Sequence, residues 1–169
     1  ARHLLTRHDD LTFRFVGGPI EMESNYRVMI ARNGLQQNRF VFEDRRPIDD
    51  IPVAHRASDI LLMPHPRTTM YSEFVSPLKL FEYMTSGRPI IGCDLPAIAE
   101  VLVNDQNALL ASPDDPDDLA RCVTRLLDDT ATAARLAAQA SMDVAERTWH
   151  ARGARILAAA TGCASGCQR

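Results

Sequence analysis

Two side chains of opposite charge, Lys79 and Glu82, stand three residues apart in a segment with the sequence features of a short helix. Ser76 suits the N-cap and Pro77 the first helical position, while Gly87 suits the left-handed residue that follows a last turn. Residues three apart on a helix share a face, so the lysine and the glutamate lie on one polar stripe. Apolar residues cover most of the remaining surface, namely Leu78, Leu80, Phe81 and Met84.

The position of the lysine predicts a binding site for an anion. Lys79 falls in the first turn, at the positive end of the helix dipole, where a cation costs about 0.3–1 kcal/mol. A bound phosphate removes that conflict, because free backbone N–H groups and an ammonium together bind it well. Glu82, one turn later, is placed to accept hydrogen bonds from sugar hydroxyls next to the phosphate. A surface ion pair between the two side chains, worth about 0.2–0.5 kcal/mol, fits the spacing equally well.

The composition is typical of one globular domain with a hydrophobic core. The chain has 169 residues, of which 46% are hydrophobic and 24% charged. A net charge of −3 gives no electrostatic basis for binding nucleic acid or an anionic membrane. We expect no signal peptide and no transmembrane segment, because no apolar run approaches about 18 residues. Cys163 and Cys167 lack the further Cys or His ligands of a metal site, so we expect no metal. Cys93 and Cys122 fall in a predicted strand and a predicted helix as small core residues, and this cysteine usage fits a reducing, cytoplasmic setting best.

Strands and helices alternate along the chain, which predicts an α/β fold with a doubly wound, parallel, Rossmann-like sheet. In such sheets, ligands bind beyond the carboxyl ends of the strands. Gly17, Arg45 and His65 follow predicted strands, so they are candidates for contact with a ligand. The tail of small residues at 161–169 is expected to be disordered. The five predicted strands lie within residues 13–19, 39–43, 59–64, 88–93 and 104–110.

The helix and the residues after it resemble the nucleotide-sugar site of a known enzyme family. From Ser76 the chain reads Ser-Pro-x-Lys-x-x-Glu-Tyr-Met-x-x-Gly-x-Pro-Ile-Ile, followed by Asp-Leu-Pro at 94–96. This pattern is similar to that of retaining glycosyltransferases with the GT-B fold, the large glycosyl transferases group 1 family, and most similar to its bacterial polysaccharide and cell-envelope members. The resemblance implies that Glu82 binds the ribose of the donor nucleotide. It also implies that four residues lie near the diphosphate, namely Ser76, Pro77, Leu78 and Lys79.

The chain departs from the family pattern at the donor sugar. The family usually has a second glutamate eight residues before the one that binds the ribose, where it helps to hold the sugar. Phe74 occupies that position here, and Glu73 is one residue away. The resemblance therefore implies that either Glu73 or backbone amides hold the sugar, and Glu73 joins Lys79 and Glu82 as a candidate catalytic residue. The loop around Arg45 would place its backbone against the edge of the nucleobase.

The resemblance covers residues 1–160 as part of one nucleotide-sugar-binding domain, and it implies a sheet of six strands in the order 3-2-1-4-5-6. The first of these strands is missing from the five predicted here, which would leave the second and fourth strands without a neighbour. The N-terminal, acceptor-binding domain of the full enzyme is also expected to be absent from this chain. Any peripheral contact with a membrane would belong to that domain.

The resulting interpretation is the donor-binding part of an enzyme that transfers a sugar from a UDP- or GDP-type nucleotide sugar to a glycan or a lipid-linked acceptor. The resemblance implies retention of the anomeric configuration and no cofactor. The first alternative is a non-catalytic fragment, or half of a split enzyme that binds nucleotide only with a partner domain, and the missing strand favours it. A nucleotide-sugar 2-epimerase would need acid and base residues from both domains, and the Ser-Pro-x-Lys-x-x-Glu pattern speaks against it. A receiver-like signalling domain would need paired acidic residues after its first strand, and the sequence has no such pair.

Overall fold

The computed structural model describes residues 1–18, 20–74 and 78–164, in which strands and helices alternate. The strands are β1 (Phe13–Val16), β2 (Phe40–Glu43), β3 (Leu61–Met63), β4 (Ile90–Cys93) and β5 (Leu109–Ala111). The α-helices are α1 (Arg2–Arg7), α2 (Ile20–Arg32), α3 (Ile51–Arg56), α4 (Leu78–Met84), α5 (Pro96–Ala99), α6 (Pro116–Asp128), α7 (Thr130–Ala145) and α8 (Trp149–Ala164). Short 3₁₀ turns at Gln37–Arg39 and Ile48–Asp50 precede β2 and α3, and a π-helical turn at Met70–Phe74 precedes α4.

The strands pair in parallel and form two sheets. In the first, β1 pairs with β2, with Phe13 opposite Phe40. In the second, β3, β4 and β5 are hydrogen-bonded in that order. The α/β class and the parallel pairing predicted from the sequence are confirmed. The strands do not form one continuous ladder, because within the described residues β1 and β3 each pair on one side only. This break falls where the resemblance implied that the second and fourth strands of the family's sheet would lack a neighbour.

Helices cover both faces of the β3–β5 sheet. Ile90 and Ile91 are adjacent in β4, so their side chains point to opposite faces, and both are fully buried. Ile90 packs in a cluster with Leu80 and Met84 of α4, together with side chains of α5 and α7. Ile91 packs in a second cluster with side chains of α1, α6 and α7, namely Leu4, Val123, Leu126 and Leu136. Burial on both faces explains why the strands of this sheet are almost wholly apolar.

One face of the β1–β2 sheet carries stacked aromatic rings. Phe13 stacks on Phe40 with ring centroids 5.2 Å apart, and Phe15 stacks on Phe42 at 5.0 Å. Alternate residues of a strand share a face, so both pairs lie on the same side. Tyr26 of α2 stacks beside the second pair at 6.2 Å. The helix α2 therefore packs on this face, and the alternate side chains of the two strands lie on the other.

One element boundary differs from the predicted one. The helix α8 continues to Ala164, past the predicted start of the tail at Thr161, since its alanine-rich sequence favours helix. Residues 165–169 lie outside the described residues.

The turn before β5 is held by one buried side chain. Asn107 is 3% exposed, and its Oδ1 accepts a hydrogen bond from the N–H of Val103 at 2.8 Å. Its Nδ2 donates to the carbonyl of Val101 at 3.2 Å and to the carboxylate of Asp143 at 2.6 Å. The left-handed residue of this turn is Asp105, with a φ of 60°, so the turn needs no glycine. The side chain of Asn107 thereby links the turn to α7, through its hydrogen bond to Asp143.

We expect Asn107→Ala to lower the free energy of unfolding by about 1–3 kcal/mol, because it leaves buried backbone groups without their partner. Asn38→Ala is a matched control, since Asn38 is exposed and its side chain forms no hydrogen bond within the described residues. Denaturant unfolding of both variants, followed by circular dichroism, measures the difference. Equal stability of the two variants would contradict this role for Asn107.

Candidate functional site

The helix α4 presents Lys79 and Glu82 to solvent, and we refer to this pair as the charged stripe. The opposite side of the helix is anchored by Leu80 and Met84, which are each 1% exposed. Within the described part of the chain, neither charged group of the stripe forms an ion pair or a hydrogen bond. The surface ion pair that the spacing allowed is therefore not formed, and both charges remain available to a ligand.

The predicted start of α4 lies outside the described residues, whereas its predicted end is confirmed. The structure describes the helix from Leu78, which is exposed, so the predicted capping residues Ser76 and Pro77 lie outside the described residues. Gly87 has a φ of 70°, in the left-handed region predicted for the end of the helix. Ser86 is buried, and its hydroxyl bonds to two backbone groups at the helix end. Its side chain therefore stabilises the end of the helix.

A histidine that the sequence analysis did not select lies beside the charged stripe. The ring of His55 in α3 packs edge-on against Tyr83 of α4, with ring centroids 4.9 Å apart. Burial lowers the pKa of His55, the charge of Glu82 opposes that shift, and the charge of Lys79 adds to it. Both charges of the stripe therefore act on this ring. No spacing in the sequence indicates the contact, because it depends on how α3 and α4 pack side by side.

His65 lies at the carboxyl end of β3, where the sequence placed it. Its ring stacks on Tyr71 of the π-helical turn, with centroids 4.6 Å apart, and its Nε2 is buried without a hydrogen-bond partner among the described residues. Burial, and then the charge of Lys79, lowers the pKa of His65, so the ring is neutral at pH 7. The charge of Lys79 thus acts on histidines of two different elements, His55 of α3 and His65 after β3.

Gly17 and Arg45 follow the carboxyl ends of β1 and β2. Gly17 has a φ of 78°, and an added Cβ would contact no other atom, so the backbone conformation is what requires glycine. Arg45 is exposed and its side chain is unpaired within the described residues, whereas Arg46 is bonded to Glu43. No hydrogen bond or ion pair of the described residues joins Gly17 or Arg45 to the charged stripe. Gly17 and Arg45 thus follow strands of the β1–β2 sheet, whereas Lys79 lies on α4, which packs against the β3–β5 sheet.

The π-helical turn contains Glu73, whose side chain lies outside what the structure describes. Its role at the donor sugar therefore stays a prediction. Phe74, at the position of the family's glutamate, is exposed. The loop that enters this turn is fastened to the loop after β5, because the backbone N–H of Arg67 donates to the carboxylate of Asp114 at 3.0 Å.

The ranges 1–18, 20–74 and 78–164 contain no group of three side chains that could hold a metal ion. No helix within them is both long and apolar enough to cross a membrane.

Comparison with known proteins gives both a family and a fold. Residues 1–129 match the family described as Glycosyl transferases group 1. The chain is 34% identical over 123 residues to the 2-deoxystreptamine glucosyltransferase of Streptomyces kanamyceticus, a match that covers 72% of this chain and 30% of that enzyme. The fold resembles the C-terminal domain of a group 1 family glycosyl transferase (LpcC) from Francisella tularensis, with a TM-score of 0.69 and 21% identity over 85% of this chain and 72% of that one. It also resembles Anabaena HepE in complex with UDP-glucose, with a TM-score of 0.70 and 23% identity over 87% of this chain and 41% of that one.

The chain spans less than a third of the length of the glucosyltransferase that it matches. The family match nevertheless covers most of the chain, and the charged stripe of α4 lies inside it. The two solved structures agree with the parallel, Rossmann-like arrangement described above. The chain belongs to the glycosyl transferases group 1 family.

Proposed function

We propose that this chain is the donor-binding part of a retaining glycosyltransferase, which transfers a sugar from a nucleotide diphosphate sugar to a glycan or a lipid-linked acceptor. The observation that carries the proposal is the charged stripe of α4. Lys79 and Glu82 are exposed, unpaired within the described residues, and separated by one helical turn. A cation and a hydrogen-bond acceptor at this spacing suit a diphosphate and the ribose next to it.

In this proposal, Lys79 binds the diphosphate and stabilises the negative charge that develops on it as it leaves. Glu82 accepts hydrogen bonds from the ribose hydroxyls and so fixes the nucleotide along α4. Glu73, with the rest of the segment 73–78, lies on the side of the transferred sugar, whose transition state has oxocarbenium character. The chemistry is then mostly positioning and charge stabilisation.

The charges around the charged stripe support Lys79 as the cation that meets the diphosphate. Burial lowers the pKa values of His55 and His65, so both rings are uncharged at pH 7 and the ammonium of Lys79 supplies the local positive charge. Lys79 is also the only lysine of the chain, whose 19 basic residues are otherwise all arginine. We propose a UDP- or GDP-type donor, in keeping with the UDP-glucose found in the complex of Anabaena HepE.

The acceptor in this proposal binds to a second, N-terminal domain, and any peripheral membrane contact belongs to that domain. The proposed location is the cytoplasm, where nucleotide sugars would reach the site. The helix α8 would face the second domain, since it carries exposed apolar side chains, namely Trp149, Ile156 and Leu157.

A second candidate function is that of a non-catalytic fragment, or of half of a split enzyme that binds nucleotide only with a partner domain. The observation that favours it is that no strand pairing joins β1 to β3, directly or through a strand between them, within the described residues. Thermal melts of the chain with and without UDP, GDP, ADP and TDP separate the cases, because a ligand of the folded state raises the melting midpoint. A shift with one nucleotide supports a donor site in this chain. A cooperative melt with no shift means that the site needs the partner domain.

We expect Glu82→Gln to weaken binding of the preferred nucleoside diphosphate by about 10-fold or more, because a hydrogen bond to a charged group is worth about 1.5–3 kcal/mol. Isothermal titration of the wild-type chain and the variant measures this change. Glu146→Gln, at an exposed position at the end of α7, is the matched control and should bind like the wild type. Equal affinities for Glu82→Gln and the wild type would exclude a ribose contact.

Because Lys79 is the only lysine, an acylating reagent reports on this one side-chain amine. We expect the preferred nucleoside diphosphate to slow acylation of Lys79 by about 10-fold at saturation, while the corresponding nucleoside leaves the rate nearly unchanged. Peptide mapping by mass spectrometry separates Lys79 from the N-terminal amine, and Lys79→Arg provides the blank. Equal protection by nucleoside and nucleoside diphosphate would mean that Lys79 does not contact the phosphates.

A further inference from the structure

The segment that follows β3 folds back on itself, so that an aromatic pair closes it. His65 comes two residues after β3, and its ring stacks on Tyr71 of the π-helical turn, with centroids 4.6 Å apart and an angle of 18° between the ring planes. Thr68 lies between the two in the sequence. Its hydroxyl accepts a hydrogen bond from the N–H of Tyr71 at 3.3 Å, and its carbonyl accepts one from the N–H of Ser72 at 2.8 Å. The segment therefore has an internal structure that ends at the π-helical turn.

Tyr71 also contacts the hydrophobic core. Its half-buried side chain packs against the cluster that contains Leu80 of α4 and Ile98 of α5, and α5 itself packs against the π-helical turn. Met63, the last residue of β3, is buried in the same cluster, so the strand end from which His65 extends is fixed. The position of the turn is therefore set by two contacts of one side chain, one with the core and one with His65.

The ring of His65 contributes through stacking. Its Nε2 is buried and has no hydrogen-bond partner among the described residues. Burial, and then the charge of Lys79, lowers the pKa of His65, so the ring that stacks on Tyr71 is the neutral imidazole. Offset-stacked aromatic pairs are stabilised beyond the burial of their apolar area. A ring of similar shape without nitrogen atoms would therefore make the same contact.

The π-helical turn and α4 are held by different contacts. The helix is anchored by Leu80 and Met84, whereas the stack on His65 belongs to the turn alone. Glu73 is part of the turn, and Lys79 and Glu82 belong to the helix. In the proposed function the helix binds the diphosphate and the ribose, and the transferred sugar lies beside the turn. Loss of the stack would consequently displace the sugar side of the site and leave the charged stripe in place.

We infer that His65 is a positioning residue for the transferred sugar, which it serves by holding the π-helical turn in place through the ring of Tyr71. This inference rests on the proposed function, since it takes the sugar to lie beside this turn. His65 acts through the stack, and neither of its ring nitrogens is required. The nucleoside diphosphate depends on α4, and the additional affinity for the sugar depends on the turn.

The test compares two ligands that differ by the transferred sugar, namely UDP-glucose with UDP, or GDP-mannose with GDP, in isothermal titrations. We expect His65→Ala to weaken the nucleotide sugar by about 3- to 10-fold and to leave the nucleoside diphosphate within about 2-fold of the wild type, because the variant removes the stack only. His65→Phe keeps a ring, so we expect it to bind both ligands within about 2-fold of the wild type. His150→Ala is the matched control, since His150 is exposed in α8.

Tyr71→Leu covers the case in which His65→Ala does not fold, because leucine keeps an apolar contact with the core and removes the stack. We expect it to reproduce the selective loss of the nucleotide sugar, and melting midpoints establish that each variant is folded before titration. Unchanged binding of the nucleotide sugar, equal weakening of both ligands, or a loss in His65→Phe as large as that in His65→Ala would overturn the positioning role. Wild-type protein that binds a nucleoside diphosphate but neither nucleotide sugar would overturn this inference alone. Wild-type protein that binds no nucleotide would overturn the proposed function, and the role of His65 with it.

Discussion

The geometry of the site depends on how α4 is fixed against the β3–β5 sheet. Leu80 and Met84, four residues apart, are buried in the same cluster as Ile90 of β4. Rotation of the helix about its axis would expose both anchors, at a cost of about 1.5–3 kcal/mol for each side chain. The hydrophobic core therefore sets the direction of the charged stripe, on the opposite side of the helix. Because the two charged groups stay in solvent, this orientation carries no cost of burying a charge.

Lys79 is the only lysine among the Lys and Arg residues of the chain, and all the others are arginine. The two side chains differ in how they bind a partner. Several arginines hold structural partners: Asp105 accepts hydrogen bonds from both Arg125 and Arg135, and Glu43 has two arginines of its own. A guanidinium suits such fixed, bidentate pairing, whereas an ammonium is a compact charge with rotatable donors. In the proposed reaction the charge on the diphosphate changes as the sugar leaves, and a rotatable donor can follow that change. These paired arginines thus stabilise the fold, whereas Lys79 forms no ion pair within the described residues.

The features that the sequence predicted are those that depend on local pattern. Apolar runs predicted the five strands, and helical spacing predicted the shared face of the charged stripe. The glycine at position 87 predicted the left-handed residue at the end of α4. The contact of His55 with Tyr83 and the bond of Arg14 to Glu43, 29 residues away, follow from packing between elements and leave no periodic signal. The division into two sheets was expected only from the resemblance, because strand patterns do not specify which strands pair. The predicted N-cap of α4 lies outside the described residues and stays a prediction.

The two sheets share no strand pairing within the described residues, yet the proposed ligand would touch elements of both. Side chains make the connection: Arg14 of β1 reaches the carbonyl of Ala54, and the next residue, His55, packs against Tyr83 of α4. The helix α3 is thus one link between the β1–β2 unit and α4, and Phe13 of β1 forms another link to the β3–β5 sheet, because it packs against the cluster that contains Ile91. A nucleotide that spanned this junction would add contacts where the backbone supplies none. Ligand binding and the docking of the β1–β2 unit would then be one coupled equilibrium, and the observed affinity would fall in proportion to the fraction of molecules in which the two units are apart.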